Sequence, residues 1–288
     1  MNAVVSPSMG PNLLDIANLM SAMTARCVVQ LGHELFVGAP RFESHPPFMY
    51  SLTSQHGVGG TMPGQFAGVT GASDSFAMGV HTGTHMDSLS HVAFNECLFD
   101  GTNVMQPGVQ SPRDGVRMLH AEAIKPIVAR GLLLDFPGFM GKSRVAAEYG
   151  INPDDVSRCA EHEGISIRAG DVVLMRTGWD TLWPEPTAYT RMPMPGPTAD
   201  TARLLARLGV VATGSDTLAY EQAPGEQPLE VHAELISKAG IFILESLDLR
   251  ELARRRAYEF VFVVLPLRIA GATGSPVNPI ALLAPEVH

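Results

Sequence analysis

The sequence predicts an α/β protein with a mixed sheet and short helices, and three observations lead there. Short runs rich in Val, Ile, Leu and Phe alternate through the second half of the chain with segments of helical spacing. The 28 glycines and 22 prolines call for many turns and disfavour a helical bundle. No internal repeat or heptad register interrupts the alternation.

Taken in order, residues 13–23 are predicted as a helix, within an N-terminal helical extension over 1–25 that precedes a single domain over 26–288. Residues 27–31 (CVVQL) follow as a strand, then a loop broken by Gly32, Gly38, Pro40, Pro46 and Pro47. The Gly/Ser/Thr-rich stretch 54–75 is too long for a structureless connection in a compact domain, so it is read as a functional loop containing some strand. Residues 131–136 (GLLLDF) form a strand stopped by Pro137, and 153–162 a short helix. Residues 171–176 (DVVLMR) are a strand closed by Thr177-Gly178, and 180–197 a proline-rich loop. A helix over 198–208 carries Ala202, Leu205 and Leu208 on one face, with Thr198 as its N-cap and Gly209 as its stop. A strand at 210–213, a helix at 231–239, a strand at 241–245 and a last long strand at 259–267 complete the alternation.

Composition removes several function classes. Apolar residues are 45% of the 288 and charged residues 17%, which is globular rather than disordered. With 20 basic side chains against 29 acidic ones the net charge is −9, a field that repels phosphate and argues against nucleic acid as a partner. The most apolar run, 260–265, ends at Pro266 and is too short to cross a bilayer. No secretory leader is apparent, and Cys27, Cys97 and Cys159 form no C-x-x-C pair, so a reducing, cytoplasmic setting is expected.

The chemistry concentrates in His81-Thr-Gly-Thr-His85-Met-Asp87-Ser-Leu-Ser-His91. Imidazole with carboxylate is the ligand mix that zinc and manganese take. A fully extended chain would hold His81 and His85 about 13 Å apart, at roughly 3.3 Å per residue. Two nitrogens bound to one ion are no more than about 4 Å apart, since each lies about 2.1 Å from it. The chain must therefore turn between them, and Gly83 is where it can do so. A helix would also join the two histidines but would send Asp87 to the opposite side, so a turn after a strand is preferred. Other motifs fail. Residues 136–143 (FPGFMGKS) lack the first glycine of a phosphate loop, no G-x-S-x-G elbow exists, and Ser166 stands where H-E-x-x-H needs its second histidine. Gly271-Ala-Thr-Gly274 reads as a structural turn.

Residues 81–91 resemble the H-x-G-T-H-x-D-x-P-x-H signature of the metal-dependent cyclase hydrolase family, which includes bacterial kynurenine formamidase, isatin hydrolase and polyketide cyclases. Every fixed position matches except Leu89, which replaces a proline that supplies stiffness rather than a ligand. Further similar segments extend from about residue 28 to 283. The resemblance implies a swivelling β/β/α domain assembled as a homodimer or higher oligomer. It also implies that His232 and Glu245 join His81, His85 and Asp87 around one or two divalent ions, Mn²⁺ or Zn²⁺, and that Phe42 lies against a small planar, aromatic-like substrate.

Such a metal would acidify water for attack on a carbonyl. His91 is the candidate proton carrier, with ligation as its rival role. Asp216 is left between a pocket role and a turn-capping one. The length of the chain and its 54–75 and 180–197 loops look more like isatin hydrolases, so opening of a cyclic amide is the expected reaction. Arylformamide or lactone hydrolysis, metal-assisted cyclisation or dehydration, and non-catalytic binding are the alternatives.

Overall fold

The computed structural model describes residues 27–56 and 69–284. The helix predicted at 13–23, like the rest of the extension over 1–25, lies outside them. Nine strands build one mixed sheet: β1 (Val28–Gln30), β2 (His85–Asp87), β3 (Ile127–Asp135), β4 (Val172–Arg176), β5 (Ala212–Ser215), β6 (Phe242–Glu245), β7 (Glu259–Val264), β8 (Gly274–Pro276) and β9 (Ile280–Leu282). Their spatial order is β1-β9-β7-β3-β4-β5-β6-β2-β8. The central four, β3 to β6, run parallel, and every flanking pair is antiparallel. The predicted mixed sheet with short helices is what forms.

The central strands are covered on both faces, which is why they read as unbroken apolar runs. Leu134, Val173, Met175 and Ile243 face a core shared with Val156, Leu205 and Ile236 of the crossover helices. Their neighbours Leu133, Val172, Leu174 and Leu244 face the opposite core, with Met86, Phe260 and Phe262. The helices end as the sequence indicates. Asn152 caps Pro153–Glu163, and the Thr198 hydroxyl accepts from Thr201 N ahead of Ala199–Leu208. Gly209 stops the latter helix at φ +74°, in the left-handed region that glycine adopts freely.

Departures from expectation have physical causes. The strand predicted at 131–136 starts four residues earlier, at Ile127, because β7 pairs with it over that whole length. The strand predicted at 210–213 is Ala212–Ser215, since parallel pairing with both neighbours begins at Ala212. The helix expected at 231–239 is one α-turn, Glu230–His232, followed by a π-helical run, Ala233–Ala239. The loop 180–197 contains two short helical turns, at Trp179–Leu182 and Pro186–Tyr189. The glycine-rich stretch carries strand at its edges: Met49–Ser54 pairs antiparallel with Ser73–Ala77. No helix among the described residues is long and apolar enough to cross a membrane.

Candidate metal centre and active site

The signature segment turns before a strand, not after one. Gly83 takes φ +72°, and the chain then enters β2, where His85 and Asp87 are two residues apart and share one face. Met86 between them is fully buried in the opposite core, fixing which face the pair occupies. Strand register supplies the next group, because Glu245 at the end of β6 is directly opposite His85. His232 arrives from the turn that precedes the π-helical run. His91 is swung back by a turn in which its N–H donates to Ser88 O at 3.0 Å, and its ring stacks on His81 with centroids 4.0 Å apart.

These elements bring together all six residues predicted for metal binding and proton transfer. His81 Nδ1 lies 2.8 Å from Asp87 Oδ1, and His85 Nε2 lies 3.6 Å from the same oxygen. Glu245 spans two imidazoles, with Oε2 3.3 Å from His85 Nε2 and Oε1 3.1 Å from His232 Nε2. Among the described residues two ligand groups can be drawn, His81-His85-Asp87 and Asp87-His91-His232, each with its donor atoms within 4.8 Å of one another. Asp87 belongs to both. Phe42 is near but not in this cluster: it packs against the apolar group that contains Trp179, Trp183 and Tyr189, and its ring is 5.9 Å from that of His45.

The outer nitrogens of three imidazoles are already engaged, which determines what each presents inward. Gly83 O accepts from His85 Nδ1 at 2.8 Å, Glu221 Oε2 accepts from His232 Nδ1 at 2.9 Å, and His81 Nε2 lies 2.9 Å from Thr273 Oγ1. That leaves His81 Nδ1, His85 Nε2 and His232 Nε2 turned toward the carboxylates. Holding the far nitrogen of an imidazole in this way orients metal-ligating histidines and raises their basicity.

The electrostatics of the cluster favour positive charge at its centre. Burial alone would lower the pKa of His232, but hydrogen bonds to Glu221 and Glu245 overcome it and raise it to about 10. Burial likewise opposes the charged form of His85, and Glu245 with Asp87 outweighs it, raising that pKa as well. Burial pushes the carboxyls of Asp87 and Glu245 up, yet the surrounding imidazoles hold both below their ordinary values. His91 is different: burial dominates and takes it down to about 4, leaving a neutral ring able to accept a proton. His81 Nδ1, His85 Nε2 and both Asp87 oxygens are buried without an aligned hydrogen-bond partner. Buried carboxylates among imidazoles with unspent lone pairs demand positive charge, and a divalent cation supplies it with the right donor chemistry.

Sequence reasoning missed three contributors. Glu221 follows Tyr220, whose φ of +56° marks a strained turn, but nothing in the local pattern announces a partner for His232. Thr273 and Gly274 belong to the turn read as structural. A Cβ on Gly274 would meet His81 Cε1 at 2.7 Å, so the absence of a side chain there admits the imidazole. Asp216, left open by the sequence, is a turn anchor: its carboxylate accepts from Thr177 N, Thr177 Oγ1 and Gly178 N at 2.8, 2.7 and 2.7 Å. Leu89, where the family signature has proline, is buried in the helix-side core.

The grip of Glu221 on His232 is open to measurement. Glu221→Gln should weaken divalent-metal binding about 10- to 100-fold, the usual cost of losing such an orienting carboxylate. Competition titration with a chromophoric chelator reads this directly, and an unchanged affinity would show that Glu221 does not orient His232.

A mixed α/β sheet that gathers imidazoles and carboxylates where an antiparallel strand, β2, joins the end of the parallel strand β6 defines a metal-site scaffold of the kind the sequence pattern implied. The Cyclase family model matches residues 29–222, and the chain belongs to that family. It is 27% identical over 220 residues to the isatin hydrolase of Roseibium aggregatum, covering 72% of this chain and 73% of the relative. A crystal structure of a novel cyclase superposes with a TM-score of 0.83 at 25% identity, covering 96% of this chain and 92% of the other. An isatin hydrolase bound to the product analogue thioisatinate superposes at 0.69 and 21%, over 96% of this chain and 100% of the other.

Proposed function

We propose that this protein is a divalent-metal-dependent hydrolase that opens a cyclic amide of isatin-like shape by adding water to its carbonyl. The observation that carries the reading is the set of inward-facing, unpartnered donors on His81, His85 and Asp87, next to a neutral His91. The Roseibium aggregatum relative, an isatin hydrolase, supports the choice of substrate class.

His81, His85 and Asp87 would hold the cation, with His232 and Glu245 completing the site or a second position that shares Asp87. Bound there, a divalent cation supplies Lewis acidity, polarising a carbonyl and making water a stronger acid. The protein's part is positioning and proton transfer. His91 accepts the proton of the attacking water and returns it to the departing amide nitrogen, its ring being kept neutral by burial and so free to accept at neutral pH. Asp87 stabilises the imidazolium that forms in between. Phe42 offers a flat apolar surface on the His45 side of the cluster.

Dialysis against a strong chelator tests the reading. Ring opening of isatin-like compounds should fall more than about 100-fold and return on adding Mn²⁺ or Zn²⁺, since the metal supplies both the acidified water and carbonyl polarisation. Full turnover by metal-free protein overturns the proposal. A product heavier than the substrate by one water distinguishes hydrolysis from cyclisation or dehydration.

A further inference from the structure

His45 belongs to no ligand group described above, yet it is held firmly against the cluster. Its ring centroid lies 5.6 Å from that of His81 and 5.9 Å from that of Phe42, so it sits between the candidate metal centre and the aromatic surface. Its backbone cannot swing away easily. The Arg41 guanidinium donates to Phe42 O, Glu43 O and His45 O at 2.9, 2.8 and 2.7 Å, knotting residues 41–45 into one turn. The next residue, Pro46, is tied to the signature turn, its carbonyl accepting from Gly79 N and Thr82 Oγ1 at 3.2 and 3.0 Å.

Hydrogen bonding fixes the tautomer of this ring. His45 Nδ1 is 3.2 Å from His81 O. A carbonyl oxygen only accepts, so Nδ1 carries the proton. In the neutral imidazole the other nitrogen is then an acceptor. Nε2 has no hydrogen-bond partner among the described residues, and the ring is half-buried, so the lone pair is left available at the edge of the site.

We propose that His45 is a specificity-determining residue whose Nε2 accepts a hydrogen bond from the N–H of the substrate amide. The site would then select secondary amides, whether lactams or N-formyl aromatic amines, over lactones and N-alkylated amides that have no such proton. This deepens the hydrolase reading and rests on it for the reaction. The selection follows from geometry: a turn bound at both ends presents an acceptor that a substrate lacking N–H leaves unsatisfied.

Two measurements test it. With ¹⁵N-labelled histidine, long-range NMR correlations at about pH 8, above the ordinary histidine pKa of roughly 6.5, should show the Nδ1–H form at His45. An Nε2–H form overturns the inference without reference to catalysis. On the metal-loaded enzyme, kcat/KM for isatin should exceed that for N-methylisatin about three- to tenfold, the range one neutral hydrogen bond supports. His45→Phe keeps an aromatic ring and should erase the gap by slowing only the N–H substrate, mainly through KM. His45→Gln, which retains an acceptor, should restore part of the gap and serves if the Phe variant folds poorly. Turnover of both compounds with an unchanged ratio in the variants overturns the role of His45 alone. Failure of the metal-loaded wild type to open either ring overturns the hydrolase reading, and this inference with it.

Discussion

On the proposed reading, a His85→Ala variant is expected to lose both divalent-metal binding and ring-opening activity. Both nitrogens of this imidazole are committed, Nδ1 donating to Gly83 O while Nε2 faces Asp87 at 3.6 Å and Glu245 at 3.3 Å. Alanine removes a donor that is 2% exposed and leaves two buried carboxylates with one imidazole fewer between them. Since even outer partners of a ligand are worth about 10- to 100-fold in affinity or activity, loss of the ligand itself should cost more than about 100-fold in each. Metal analysis after gel filtration and a progress curve with added Mn²⁺ read the two effects. Wild-type metal content and rate in the variant would remove His85 from the site.

His91→Gln is the second large effect, and it should divide what His85→Ala loses together. Glutamine can fill the space over His81 but cannot carry a proton between water and a departing nitrogen. A positioned general acid–base contributes about 10²- to 10⁴-fold, so kcat should fall by that amount while metal content stays near that of the wild type. The opposite outcome is equally definite. His91 also falls in a ligand group with Asp87 and His232, and loss of metal from the Gln variant would make it a ligand instead.

How much of the site was legible in the sequence depends on which interaction fixes each residue. His81, His85, Asp87 and His91 could be found because they lie within eleven residues, where local geometry limits the ways of reaching one point. The need for a turn at Gly83 followed from metal–ligand distances, once a shared ion is assumed and a helix is set aside because it would turn Asp87 away, and the turn is there. His232 and Glu245 could be named only through family resemblance, because what unites them with the motif is strand register. Glu245 meets His85 because β2 inserts beside β6, a long-range pairing that no local spacing encodes. Glu221 and Thr273 were invisible for the same reason, being defined by the nitrogens they engage.

Fold legibility had the same limit. Strands covered on both faces announced themselves as apolar runs, whereas β2, β8 and β9, three residues each, are too short to show a period. The π-helical run after His232 satisfies an apolar pattern much like that of an α-helix, so composition could not separate the two.

The placement of β2 between β6 and β8 has a consequence for how the protein is kept whole. The donors reside on stretches of polypeptide far apart in the chain, joined laterally by short ladders near one margin of the sheet and by a few bonds beside them, such as Thr84 Oγ1 donating to Ser246 O. A cation held there, as proposed, would act as a fastener across that margin, adding its binding energy to the resistance of the native state against unravelling, about 2.7 kcal/mol at a hundredfold excess over Kd. Metal supply would thus set the persistence of the folded molecule as well as its capacity for chemistry.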